Sequence, residues 1–352
     1  MALPPAVTSA QDELRGRALQ ALRLDLQLNL DHARQAQDER SDGTWQHPGG
    51  DAGERRGQER TMKRSPHSAI KVLAGTLIFS HAEMLRPQSQ EWRLHLGGCH
   101  TIARGLVQSP SQLQAESPAL RFLSKELSDL ESLLELSHFR PRPSRAPVPP
   151  SRVQPHRLGT FTTFTEILRD ITSQERMQGP LDTRAGDSIS MTDLRVWKQR
   201  IDQAFDLSRS ELSNQHAADT VAGLAFKSVI DAHHVAAIIY LHQVYFQFVH
   251  PTEMLDVRLC SAITNVQDAG LYYHDLFWPL FVLGTLSTGQ DQQQTWVERL
   301  WRLCVSTTSF YCNEPALAFL KAYWARPSEE YLVSWIQYAR LHSDVLDSFI
   351  IF

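Results

Sequence analysis

The fifteen histidines are the first residues that could do metal or acid–base chemistry. His233, His234 and His242 fall within one predicted helix, where residues about eight positions apart share a face. A zinc site would need a third ligand on that face, and Asp231, the nearest acid, projects elsewhere on the helix. The sequence has no His-Glu-x-x-His motif. The pattern therefore favours histidines at a helix contact, satisfied by neighbouring groups, and we predict no metal and no cofactor.

The four cysteines are the next candidates, and they are isolated from one another. They stand at Cys99, Cys260, Cys304 and Cys312, and no two of them form a Cys-x-x-Cys pair. Disulfide scaffolds and cysteine-based zinc sites need clustered cysteines. We expect neither, and we expect a reducing compartment.

No motif of a common enzyme class is present. The sequence lacks Gly-x-Gly-x-x-Gly after a strand, Gly-Lys-Ser/Thr and Gly-x-Ser-x-Gly. Helical terpene cyclases hold magnesium and a diphosphate with clustered aspartates, a pattern that Asp129, Asp202 and Asp206 do not form. Spacing does not exclude a hydrolytic triad, but nothing supports one. We predict no catalytic residue, and an all-α enzyme is the weakest alternative.

Aromatic residues crowd the C-terminal third. They are Trp278, Trp296, Trp301, Trp324, Trp335, Tyr272, Tyr273, Tyr311, Tyr323, Tyr331 and Tyr338. Such rings can line a ligand pocket or a protein interface, or fill gaps in a large helical core. We favour the core, and a small-molecule-sensing domain is the second hypothesis.

The elements that position these residues are predicted to be helices, because apolar residues recur at steps of three and four. The predicted helices cover residues 14–33, 68–85, 89–105, 118–134, 194–205, 219–249, 253–269, 290–307, 314–325 and 329–349, with a short buried segment at 278–286. The leucine run at 118–134 resembles a coiled-coil seam but lasts about two heptads, which favours packing within the chain. No alternating strand pattern is present. The predicted fold is all-α, an irregular array of stacked antiparallel helices with no significant sheet.

Two stretches interrupt the helical pattern. Residues 35–64 lose all periodicity and are rich in Gly, Asp, Glu, Arg and Gln, which predicts a flexible insert. Residues 140–158 hold many prolines, which predicts an extended linker. We therefore predict a flexible N-terminus at 1–13 and one helical domain over 14–352 that these two stretches interrupt.

Charge and hydropathy argue against nucleic acid and membrane as binding partners. The formal net charge is -4, so no overall basic field attracts nucleic acid. The apolar stretch near 276–286 is shorter than the roughly 20 residues of a membrane helix, and the N-terminus does not resemble a signal peptide. We expect no membrane contact and a location in the nucleus, or alternatively the cytoplasm.

Three segments, in order, resemble the fungal-specific transcription factor domain. The first runs through Glu83, Trp92, His95-Leu96 and Gly98-Cys99, with Cys99 in place of the family's usual alanine. The second is Ala237-Ile-Ile-Tyr-Leu-His242, and the third is Phe277-Trp-Pro-Leu-Phe-Val-Leu-Gly284. The resemblance extends from about residue 68 to the end of the chain and implies an all-α, non-catalytic regulatory domain.

The resemblance also implies how such a protein acts. In that family a separate six-cysteine zinc cluster binds DNA, and four dispersed cysteines cannot form it. We therefore expect little direct DNA binding by these residues and action through protein partners, such as a full-length zinc cluster transcription factor. The family association suggests control of a specialised biosynthetic gene set. Arg55-Arg56 and Lys63-Arg64 match a nuclear import signal, although interleaved acids favour a solvated loop.

Overall fold

The computed structural model describes residues 66–107, 118–139, 162–178, 191–215, 220–246, 254–327 and 333–343, with residues 349 and 351. These residues form eleven α-helices and two short 3-10 helices, with no strand among them. The α-helices are α1 (Pro66–Met84), α2 (Glu91–Val107), α3 (Pro118–Glu135), α4 (Thr162–Gln178), α5 (Met191–Gln215), α6 (Val221–Phe246), α7 (Met254–Ala269), α8 (Phe277–Leu286), α9 (Asp291–Thr308), α10 (Glu314–Trp324) and α11 (Trp335–Leu341). The predicted all-α class is confirmed.

The chain divides into two compact units. The first comprises Met1–Glu83 and Gln90–Ser124, and the second comprises Met84–Ser89 and Lys125–Phe352. The prediction of one domain over 14–352 stays a prediction. The predicted helix at 14–33, the insert at 35–64 and the linker at 140–158 lie outside the described residues.

Helices α6 and α8 form the centre of the second unit. All ten residues of α8 are buried, as expected for a helix that is hydrophobic all round. Helix α6 packs against α4, α5, α7 and α8. Its stretch Val221–Tyr245 is long and apolar enough to cross a membrane, but 67% of the most apolar window is buried inside the protein. Burial of this kind is typical of a core helix.

In the described part of the first unit, α1 and α2 bury apolar side chains. Leu73 and Leu77 on α1, and Trp92 and Leu96 on α2, are buried. The Ser80 hydroxyl donates a hydrogen bond to the Trp92 carbonyl oxygen at 3.2 Å. The contact links α1 to the first turn of α2.

The leucine run of α3 packs inside the chain. Leu120, Leu123, Leu127 and Leu130 are all buried. A coiled-coil seam would leave these side chains on the surface to meet another chain. The structure therefore confirms the prediction of ordinary packing.

The sequence missed one helix and gave two others the wrong extent. Helix α4 was missed, because its threonine-rich start has low helix propensity while Phe164, Ile167 and Ile171 gain stability by burial. The helix predicted at 194–205 extends over Met191–Gln215 as α5, since its buried face continues past residue 205. Of the closing helix predicted at 329–349, the described residues 333–343 are helical only over α11, which begins where the Ser334 hydroxyl caps the Gln337 amide at 3.2 Å.

Candidate functional site

The histidines considered as metal ligands contact different partners. His233 Nε2 lies 2.8 Å from the backbone oxygen of Asp275, so that nitrogen carries the proton. His234 Nε2 lies 2.9 Å from Asp202 Oδ1, and its ring stacks on Phe205 at 4.2 Å between centroids. Asp231 instead pairs with Arg209 at 3.7 Å. The prediction that neighbours satisfy these rings is confirmed for Nε2 of His233 and of His234. It is wrong for Nδ1 of His234, which is buried and has no hydrogen-bond partner among the described residues.

Burial controls the charge of these histidines. Burial lowers the pKa of His233 to about 4, although the hydrogen bond to the Asp275 backbone opposes the shift. Burial also lowers the pKa of His234, against the attraction of Asp202, and lowers that of His242. All three rings are therefore mainly neutral at pH 7. Within the described part of the chain, no group of three or more His, Cys, Asp or Glu residues is placed to hold a metal ion.

The three aspartates considered as a cyclase-like magnesium site do not form a cluster. Asp129 pairs with Lys125 at 3.0 Å on α3. Asp202 pairs with Lys198 at 2.6 Å on α5, and there hydrogen bonds from Lys198 and His234 outweigh burial and lower its pKa. Asp206 is exposed on the same helix. Each paired carboxylate is thus occupied by a nearby cation.

The cysteines are inert in this environment. Burial raises the pKa of Cys99 to about 11 and that of Cys304 to about 12. Burial raises the pKa of Cys312 and Cys260 as well. All four thiols are free and protonated at pH 7, and the thiol is the unreactive form.

The aromatic block is a packed core. Trp301, Trp335 and Tyr323 are almost completely buried, while Trp296 and Tyr311 are partly buried against the same core. The rings meet edge-on or stacked, for example Phe277 with Trp301 at 5.4 Å. The predicted core role is confirmed for the described rings, and Tyr331 lies outside them.

The second and third family-like segments meet in this core. Tyr240 of α6 packs edge-on against Trp278 of α8, with 5.3 Å between ring centroids. The Tyr240 hydroxyl also lies 2.7 Å from Thr172 Oγ1 on α4. These motif residues hold three helices together, so their role is packing.

Gly284 ends the third family-like segment, and its lack of a side chain lets α10 approach. A Cβ added there would lie 2.7 Å from Leu320 Cδ1. Close approach also lets Trp324 Nε1 donate to the Gly284 carbonyl oxygen at 2.8 Å. The glycine is therefore a steric requirement of the contact between α8 and α10.

The first family-like segment also packs internally. Glu83, Trp92, Leu96 and Cys99 are buried. The His95 ring lies 5.9 Å from that of Phe79. A Cβ on Gly98 would make an ordinary 3.5 Å contact with Thr76 of α1.

Two buried polar contacts were not predicted. In the first, Gln243 of α6 accepts a hydrogen bond from Trp335 Nε1 at 2.9 Å and donates one to Thr285 Oγ1 at 2.8 Å. In the second, the Glu175 carboxylate accepts hydrogen bonds from Arg176 and from Arg340. Glu175 falls on the buried face of α4, a helix that the sequence did not predict, so its burial was not apparent from the sequence.

Arg176 of the second contact also binds backbone. Arg176 Nη2 donates to the Leu136 carbonyl at 3.1 Å, and Nε donates to the His138 carbonyl at 3.2 Å. Its guanidinium lies 4.0 Å from the centroid of the Phe139 ring. Burial lowers the pKa of Arg176 to about 10, which leaves it charged at pH 7. These polar groups are occupied in structural contacts and offer no reactive centre.

Comparison with known proteins identifies the family of the chain. The sequence pattern of the fungal specific transcription factor domain matches residues 8–346, nearly the whole chain. No curated protein and no solved structure matches the chain. The family match is in keeping with the helical fold and the three motif segments, and the chain belongs to the fungal specific transcription factor domain family.

Proposed function

We propose that this regulator acts in the nucleus through protein contacts, on a specialised biosynthetic gene set. The observation that carries the proposal is the family match over residues 8–346. The four cysteines of these 352 residues cannot build a six-cysteine cluster. The proposed partner is therefore a full-length zinc cluster transcription factor, which would supply the DNA-binding cluster. The proposal involves no enzymatic step. The proposed control of a specialised biosynthetic gene set rests on family association alone.

Surface composition supports action through contacts. Large apolar side chains are exposed at Ile78, Leu94, Phe122, Val196, Leu207, Val221, Leu224, Met254, Val257 and Leu341. These residues include two pairs whose members lie one helical turn apart on the same face, Val221 with Leu224 and Met254 with Val257. Exposed apolar pairs of this kind are suited to a protein partner.

Tethering the chain to DNA tests the regulatory role directly. The chain is fused to a DNA-binding domain of known specificity, and output from a matching reporter is measured in a fungal host. We expect output to change, and we expect Gln substitutions at one of the two apolar pairs to remove the change. The matched control replaces Gln199 and Gln203, exposed polar residues of α5, with Ala. An unchanged reporter with the tethered chain contradicts the proposal.

A gel shift tests separately the expectation that the chain itself does not bind specific DNA. Purified chain is mixed with promoter fragments, with and without a metal chelator. We expect no sequence-specific complex. A specific complex that the chelator dissolves would show that the chain has a metal-dependent DNA-binding site, and that half of the proposal would fail. The alternative small-molecule effector stays a prediction, which thermal shift against pathway metabolites can test.

A further inference from the structure

His234 of α6 is held by one turn of α5. Its Nε2 lies 2.9 Å from Asp202 Oδ1, and its ring stacks on the Phe205 ring with 4.2 Å between centroids. Asp202 and Phe205 are three positions apart, so both lie on the same face of α5. The histidine itself is only 8% exposed. We name His234, Asp202 and Phe205 the latch, because they join the two helices.

The second ring nitrogen of His234 is left unsatisfied in the latch. Nδ1 is buried, and no described residue forms a hydrogen bond with it. A carboxylate oxygen only accepts hydrogen bonds, so Nε2 carries the proton of the neutral ring and a second proton must go to Nδ1. There the proton would make a buried N–H donor without an acceptor, which is unfavourable. The geometry of the closed latch therefore favours the neutral ring.

The charges around the ring act in both directions. Burial has the largest influence and lowers the pKa of His234; Asp202 opposes this shift, whereas Arg258 of α7 and Lys198 of α5 add to it. Although burial opposes the change, hydrogen bonds from Lys198 and from His234 lower the pKa of Asp202. On the α5 side, Arg209 lies 4.9 Å from the Phe205 ring centroid and pairs with Asp231 of α6. Mild acid therefore changes the charge of the histidine while its carboxylate partner stays ionised.

Helix α5 is attached more weakly than the core helices. Its buried residues form one narrow stripe, Ile201, Ala204, Ser208 and Leu212, whereas all ten residues of α8 are buried. Other polar contacts of α5 join arginine to aspartate or tryptophan to glutamine: Arg200 to Asp170, Arg209 to Asp231 and Trp197 to Gln174. Histidine is the side chain whose charge normally changes between about pH 5 and 8. A helix with few buried contacts opens locally at a lower free energy than the core.

We propose that the latch is a proton-sensitive joint, which holds α5 on α6 while His234 is neutral and releases this part of α5 when solvent protonates Nδ1. In the closed state Nδ1 has neither an acceptor nor access to water. In the open state the ring leaves the Phe205 face, and water accepts the hydrogen bond of the new N–H. The only chemical step is the uptake of one proton from solvent at Nδ1.

The direction of the pH effect follows from the two states of the ring. An exposed histidine has a pKa near 6.5, and in the closed latch burial lowers the pKa of His234. The contribution of the neutral ring to the contact is therefore complete above about pH 6.5 and is lost as pH falls below that value. Acidification favours the open state of α5, and a return to neutral pH closes it again.

Hydrogen exchange of the unaltered chain at pH 7.5 and pH 5.5 tests the joint. Fragments that cover residues 198–209 of α5 and residues 277–286 of α8 are followed by mass spectrometry, and each rate is divided by the intrinsic rate at that pH. We expect opening of the α5 fragment to increase several-fold and at most about tenfold on acidification, which is the limit for one ring that takes up a proton only when open. An unchanged α5 fragment, or an equal response in α8, overturns the proposal.

A pair of histidine variants assigns the effect. His234→Gln no longer titrates, so the response of the α5 fragment to pH should disappear. His242→Gln is the matched control, because burial lowers the pKa of His242 and the Lys198 charge adds to that shift, yet His242 is outside the latch. This control should keep the response of the unaltered chain. A response that persists in His234→Gln, or one that is lost in His242→Gln, places the sensor elsewhere and overturns the proposal.

A second pair of variants tests the joint with the histidine in place, even if His234→Gln fails to fold. Phe205→Ala uncovers one face of the ring, whereas Phe205→Leu keeps an apolar cover. Nuclear magnetic resonance of the histidine rings should show that His234 takes up its proton at a higher pH in Phe205→Ala than in the unaltered chain, because the ring can reach water. Phe205→Leu should shift the midpoint much less. Equal midpoints in Phe205→Ala and the unaltered chain overturn the proposal, and neither result depends on a transcriptional readout.

Discussion

Helix α11 has seven residues, and buried polar contacts of two different kinds fix its two ends. At its first residue, Trp335 donates to Gln243, a neutral contact within a fully buried core. At its sixth residue, Arg340 donates to Glu175, which also binds Arg176, so that one carboxylate serves two cations. So short a helix is not stable alone in water, and these contacts together with packing determine its position.

The comparison shows how the energy of each contact depends on its surroundings. A neutral hydrogen bond in a core gives a modest net stability, and the larger effect appears when one partner is removed and the other is left unsatisfied. A buried ion pair has a large desolvation cost, so losing one partner leaves an uncompensated charge. We therefore expect the ionic end of α11 to be the more sensitive to substitution.

Glu175→Ala should be the most damaging single change. It leaves Arg176 and Arg340, whose side chains are 18% and 19% exposed, without their carboxylate. We expect the free energy of unfolding to fall by about 3–5 kcal/mol, measured by urea denaturation.

The matched control for this change is Glu298→Ala. Glu298 also lies between two cations, Arg302 at 2.6 Å and Lys321 at 3.1 Å, but those side chains are 68% and 50% exposed. Solvent screens such pairs, so we expect a loss below about 1 kcal/mol. A loss at Glu175 no larger than the loss at Glu298 would show that burial does not distinguish the two sites.

Gln243→Leu tests the neutral end of α11. Leucine is similar in size but leaves Trp335 Nε1 without its acceptor, while Thr285 Oγ1 keeps its bond to the Val282 carbonyl at 2.6 Å. We expect a loss of about 1–3 kcal/mol in urea denaturation. The same loss should appear at low and at high salt, because no charge is involved. A strong salt dependence would contradict the neutral description of this contact.

The sequence predicted the part of this picture that depends on periodicity. Helices α6, α7 and α9 were predicted to within about two or three residues at most of their ends, because apolar residues repeat at helical spacing over many turns. The end of α7 at Gly270 was predicted as well, and that glycine has a φ of +67°. Strong local patterns are thus sufficient for the helices of the core.

The sequence could not predict the pairing of polar groups. Arg340 and Glu175 are 165 residues apart, and Trp335 and Gln243 are 92 apart. Their contacts depend on how helices are arranged, which no local repeat encodes. Helix α4 was missed for a related reason, since burial of Phe164 and Ile171 stabilises a segment whose own propensity is weak. The family-like motifs identified the core helices but not the partners of their side chains.

A glycine pair extends the comparison from polar contacts to steric ones. Gly284→Ala places a Cβ 2.7 Å from Leu320 Cδ1, and Leu320 is fully buried and has little room to move. We expect a loss of about 1–2 kcal/mol, since overpacking outweighs the gain in helix propensity. Gly97→Ala on α2 meets no atom within 4 Å and should gain up to about 1 kcal/mol. Thermal denaturation of both variants checks the opposite signs.

The smallest effect is expected at a contact whose groups titrate, in contrast to the contacts at the two ends of α11. His233 and Asp275 meet where α6 packs on the turn before α8, through the 2.8 Å hydrogen bond to the Asp275 backbone. Burial lowers the pKa of His233 to about 4, so its contribution to stability is lost as pH falls below 6.5. Burial raises the pKa of Asp275 to about 6, against the attraction of His274, so protonation of Asp275 adds stability over the same range.

The two titrations have opposite signs and nearly cancel. Between pH 7 and pH 5 we therefore expect the two contributions largely to offset each other in the unaltered chain. Asp275→Asn removes the compensating group, so acidification over this range should cost more than it costs the unaltered chain, by on the order of 1 kcal/mol. His233→Gln keeps an N–H donor but no longer titrates, so the same acidification should cost less than it costs the unaltered chain, by on the order of 2 kcal/mol. Urea denaturation at the two pH values measures both changes. Equal pH slopes in the two variants would contradict this assignment, because only opposite shifts in pKa can produce opposite slopes at neighbouring groups.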